Sequence, residues 1–112
     1  MIEKILLDYL EERLDTPVYM EMPEERPEKF VLIEKTGSSQ ANWINYATVA
    51  LQSYAGSMAE AAVLNEQVKD QMDRAAERPD ISRSHLNSDY NYTDMDIKHY
   101  RYQAIYDLVY FE

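Results

Sequence analysis

The chain has 112 residues and no cysteine, and its 11 Lys and Arg stand against 21 Asp and Glu, a net charge of −10. That length suits one domain with an ordinary core, residues 1–112, and the missing thiols exclude disulfides, thiolate catalysis and cysteine-ligated metal sites. Both halves are equally acidic, 5 − 10 = −5 over residues 1–56 and 6 − 11 = −5 over 57–112, so the surface repels nucleic-acid backbone and anionic lipid.

A hydrophobic fraction of 46% is that of a globular protein. The opening MIEKILLDYLEERL carries acids throughout and lacks a small-residue cleavage site, unlike a secretion signal. No apolar run approaches the roughly 18 residues of a membrane span. A soluble cytoplasmic protein is expected.

From Ile2 to Leu14, apolar residues recur three and four apart at Ile2, Ile5, Leu6, Tyr9, Leu10 and Leu14, which predicts an amphipathic helix. It should stop near Asp15, because Pro17 pushes Thr16 out of the helical region. PVYMEM, with Val18, Met20 and Met22 on one face, and the short apolar run FVLIEK both read as strands, separated by the acidic loop PEERPEK. Gly37, Ser38 and Ser39 read as a turn, followed by an extended segment from about Asn42 to Tyr54 that should form the central strand.

Ser57 and Glu60 have the spacing of a capping box, so a second helix is expected from Met58. Its inward stripe is Ala61, Leu64, Val68, Met72 and Ala75, and Pro79 should close it. ISRSHLNSDYNY and IKHYRYQAIYDLVYF complete the chain as two more strands. The order α-β-β-β-α-β-β indicates an α+β domain, a mainly antiparallel sheet with two helices packed on it.

Six of the ten tyrosines lie between Asn87 and Glu112. In the last strand Tyr100, Tyr102, Ala104, Tyr106, Leu108 and Tyr110 share one face, opposite His99, Arg101, Gln103, Ile105, Asp107, Val109 and Phe111. Most of the tyrosine face is expected under a helix, with partner contacts at its ends. Base stacking would need a basic groove, and Lys98 and Arg101 are too few cations.

Asp94, Asp96 and His99 form the one cluster resembling a metal or acid/base site, which keeps a small metal-dependent hydrolase as an alternative. Against it, T-D-M-D reads as a turn whose aspartates satisfy backbone amides. His85 and His99, the only histidines, give a weak metal signal even if they face each other on neighbouring strands. With Gly37 and Gly56 as the only glycines, a backbone phosphate cradle is not expected. A non-enzyme without cofactor or metal is the favoured class.

Three stretches, ERLDTPVYMEMPEERPEKFVLIEKTG, ATVALQSYAGSMAEAAVLNEQVKDQM and NSDYNYTDMDIKHYRYQAIYDLVYF, resemble the tail-terminator or tail-completion proteins of long-tailed phages and prophages of Gram-positive bacteria. The likeness covers nearly the whole chain. It implies a structural protein of the virion tail, assembled in the bacterial cytoplasm. Such a protein forms a ring, commonly a hexamer, that caps the tail tube and joins it to the head. The implied partners are the chain itself, the major tail-tube protein and a head-completion or connector protein, with no nucleic acid and no membrane. A head-completion or neck connector is the nearest alternative. Candidate contact residues are Glu24, Glu25 and Arg26 in the acidic loop, and Tyr90 and Tyr92 before the last strand.

Overall fold

The computed structural model describes residues 1–97 and 99–112. Lys98, counted above among the cations, lies outside the described residues. Helix α1 spans Ile2–Arg13, and Leu14 leaves the helical region with φ −111° and ψ 141°, as the approach to Pro17 requires. Helix α2 spans Met58–Asp73, and the Ser57 hydroxyl accepts from the Glu60 N–H at 3.1 Å. The expected inward stripe of Ala61, Leu64, Val68, Met72 and Ala75 is fully buried. The helix stops at Asp73, short of Pro79, and Ala75–Glu77 continue as one 3-10 turn.

Five strands form one sheet in the order β1-β2-β3-β5-β4: β1 Val18–Tyr19, β2 Phe30–Ala41, β3 Ile44–Tyr54, β4 Ile81–Asn91 and β5 Arg101–Tyr110. The fold is α+β in the expected element order, antiparallel throughout except for the parallel β1–β2 pair. β1 keeps only two residues of PVYMEM, and Met22 is exposed rather than inward.

The largest departure from expectation is the β2–β3 hairpin. Gly37, Ser38 and Ser39 do not turn; they continue β2 past a bulge between Lys35 and Gly37. The reversal falls at Asn42 and Trp43, both with positive φ (52° and 69°), the two-residue loop whose twist matches that of the strands. Asn tolerates that region, whereas Trp enters it at a cost of about 1–2 kcal/mol.

Both helices cover one face of the sheet. There Leu6, Tyr9 and Leu10 of α1 and Leu64, Val68 and Met72 of α2 meet Val31, Ile33, Val49, Leu51, Ala104, Tyr106 and Leu108. Each large aliphatic side chain buried this way contributes about 1.5–3 kcal/mol. The tyrosine face of β5 is thus core: Tyr106 is fully buried, its hydroxyl donating to Asp73 Oδ1 at 2.7 Å and lying 3.2 Å from the Lys69 carbonyl. β5 begins at Arg101, four residues later than the pattern from Ile97 suggests, because Asp94 and His99 pair their backbones across an intervening turn.

Candidate interaction surface

Among the described residues the second face of the sheet carries no helix, and its central residues are covered by one another. Gln52 Nε2 donates to Gln103 Oε1 at 2.8 Å and lies 3.3 Å from Glu34 Oε2, and Gln103 Nε2 donates to the Tyr90 hydroxyl at 2.6 Å. One polar rung therefore crosses β2, β3, β5 and β4. A second rung has Asp107 accepting from Thr48 Oγ1 and Asn87 Nδ2, each at 3.0 Å. Polar side chains bonded to one another across strands in this way order that face of the sheet.

At the sheet end where β2 begins, the rung runs into an aromatic cluster. Phe30 and Tyr54 stack with centroids 4.5 Å apart, and the Tyr54 hydroxyl donates to Gln52 Oε1 at 3.2 Å. Arg101 reaches both sides: Nη1 donates to Tyr54 Oη at 2.7 Å, Nε donates to the Tyr92 carbonyl at 2.8 Å, and its guanidinium lies 4.3 Å from the centre of the Tyr92 ring. Tyr92 in turn meets Tyr90 edge-on at 5.8 Å. Held by these contacts, Tyr90 and Tyr92 still expose 40% and 44% of their surface. Anchored Tyr and Arg side chains that remain accessible are the residue types that dominate protein interfaces.

The acidic loop packs against the same end. Arg26 Nη1 lies 3.2 Å from His99 Nε2, and the His99 ring sits edge-on to Tyr54 at 6.4 Å. Arg26, Tyr90 and Tyr92, candidates from different parts of the sequence, thus belong to one connected cluster. Glu24 and Glu25 are exposed on the same loop and join no hydrogen bond or ion pair among the described residues. Met95 and Ile97, in the turn before His99, add further exposed apolar surface at this end.

The opposite end is marked by the hairpin tip, where Trp43 is 88% exposed. All eight residues from Glu34 to Ala41 in β2 are also exposed, although its first four are wholly or largely buried. The sequence held a signal for this that was missed: past Leu32 and Ile33 the strand carries no large apolar residue before Trp43.

The polar candidates do not converge on a catalytic centre. The Asp94 carboxylate accepts from the Asp96 N–H at 3.1 Å, closing a local turn, while the His99 ring meets Arg26 instead. His85 lies opposite Asp107 on β5, six residues along the strand from Arg101, so about 20 Å separates its level from the His99 end. It lines a shallow groove of about 490 Å³ with Tyr46, Thr48, Arg83 and Asp107. Among the described residues, no group of three His, Asp or Glu could hold a metal ion, and no helix is long and apolar enough to cross a membrane. No family model matches the chain, and no curated protein matches its sequence.

Proposed function

We propose that the chain is a ring-forming structural subunit of a phage or prophage tail, a tail terminator that caps the tail tube and joins it to the head. The observation that carries the reading is the arrangement of exposed aromatic and other apolar side chains at two opposite ends of one sheet. Trp43 marks one end, and Tyr90, Tyr92, Met95 and Ile97 mark the other. A subunit placed between a tube and a connector needs two separate contact ends, and the whole-chain resemblance supplies the same role. The charge of −10 keeps free subunits apart until specific contacts form.

In this reading the subunits form a ring, hexameric in keeping with the resemblance, in the virion tail. One end meets the major tail-tube protein and the other a head-completion protein. The test is to add the purified chain to isolated tail tubes and score each tube end by electron microscopy. Density at one end of each tube supports the proposal. Binding to isolated heads instead would identify a head-completion or neck connector, and binding to neither would refute both roles.

A further inference from the structure

We propose that β2 of one subunit pairs with β4 of the next copy of this chain, so that the sheet continues across the subunit boundary. This deepens the ring reading above and rests on it. The sheet order leaves two edges on opposite sides, β4 and the part of β2 beyond Leu32, because β1 pairs only with Val31 and Leu32. An exposed strand edge is a template for another strand, and proteins normally guard it with charge, proline or a bulge. Past its bulge, Gly37–Ala41 has none of these.

Three hydrogen bonds set the direction in which each edge points. Ala55 N–H donates to Tyr100 O at 3.2 Å, Tyr92 N–H to Arg101 O at 2.8 Å, and Val31 N–H to Pro17 O at 2.9 Å. In an antiparallel ladder, backbone groups of successive residues face alternate sides. Carried along the registers, this alternation turns Ser38 and Gln40 of β2 and Ser84 and Leu86 of β4 outward. Ser38, Ala47, Leu108 and Ser84 share one level of the sheet. The outward groups of Ser38 and Ser84 therefore meet when a second copy is set beside the first without stagger.

The topology gives this contact its sense. Three successive antiparallel pairings make β4 antiparallel to β2 within a subunit, so two copies in the same orientation bring β4 and β2 together antiparallel. The regular runs also correspond. Arg83–Leu86 lies between the two irregularities of β4, and its first three residues are level with Gly37–Ser39, beyond the bulge of β2. Arg83 and His85 then face an uncharged stretch, so no like charges oppose. Such a contact is head-to-tail and leaves an open edge on each new copy, which is what a ring requires.

The test uses the absence of native cysteine. Ser38→Cys and Ser84→Cys are introduced together, the chain is oxidised at high protein concentration, and products are separated without reductant. Directly paired residues have Cα atoms about 5.5 Å apart, within disulfide reach, whereas positions 38 and 84 of one chain lie three strand spacings apart, about 14 Å. The double variant is expected to give a ladder of linked multimers and each single variant to remain monomeric on the gel. Ser38→Pro, which removes an outward N–H and no bond to β3, should weaken association at least tenfold while circular dichroism is unchanged. Efficient linking by Ser38→Cys alone would mean that β2 pairs with β2 and would overturn the proposal. So would the absence of a ladder; if the parent chain still binds tube ends in that case, the terminator reading survives and only the strand pairing fails.

Discussion

Arg101→Ala should loosen the aromatic end more than any other exposed substitution, because it removes three contacts at once. The guanidinium donates to Tyr54 Oη at 2.7 Å and to the Tyr92 carbonyl at 2.8 Å, and it stacks 4.3 Å from the Tyr92 ring centre. The side chain is only partly buried, so each hydrogen bond is taken at about 0.5–1 kcal/mol and the stack at about 0.5–1 kcal/mol. Their sum is about 1.5–3 kcal/mol. With a urea slope of about 1–1.5 kcal/mol/M for a domain of this size, the unfolding midpoint should fall by about 1–3 M with the slope unchanged. Arg101→Lys keeps the charge but loses the planar fork, and should recover about half of the loss. A double-mutant cycle with Tyr92→Leu isolates the stack and should return about 0.5–1 kcal/mol of coupling. A midpoint for Arg101→Ala within error of the parent would show that the cluster is not held as described.

Tyr106→Phe should cost about 1–2 kcal/mol by leaving the Asp73 carboxylate without its donor. Burial, followed by the hydrogen bond to Asp73, raises the Tyr106 hydroxyl well above the usual phenol value of 10.0. The folded value is the higher one, so its contribution is complete below about pH 10 and is lost as pH rises through it; spectrophotometric titration should find Tyr106 ionising only as the protein unfolds. Asp80 is the opposite case. The hydrogen bond from Arg78 holds its carboxyl below 3.8, so its stability is present above about pH 4 and disappears as pH falls further. Asp80→Asn should flatten that acid limb by no more than about 0.5–1 kcal/mol, given its partial exposure, as read from thermal unfolding between pH 2 and 5. Trp43→Gly should stabilise the free subunit by about 1 kcal/mol, relieving a side chain from left-handed backbone, and should weaken binding at the hairpin end. A variant less stable than the parent would contradict the turn assignment.

The helices were legible because their signals are local. Apolar residues at helical spacing, Pro17 and the Ser57–Glu60 cap each act within a few residues, and α1 and α2 began where these signals put them. The buried face of β5 was legible for the same reason, through strict alternation from Tyr102 to Tyr110. The hairpin turn was not, since Gly37-Ser38-Ser39 has turn composition while the true reversal uses a strained Trp43. β1 keeps two residues because only Val18 and Tyr19 pair with β2, a nonlocal contact that neighbouring sequence does not reveal. The Arg101 cluster was legible only as separate candidates. It unites Tyr54, Tyr92 and, through His99, Arg26, and their meeting depends on strand order and register, both nonlocal.

Tube growth gives the most direct measure of the central claim. On the proposed role, the major tail-tube protein encoded with this chain would be polymerised with increasing amounts of it and the tube lengths measured by electron microscopy. A terminator predicts that the mean length falls as the chain is added and that every arrested tube carries density at its growing end. Tubes that grow to the same length at all ratios, with bare ends, would contradict the account.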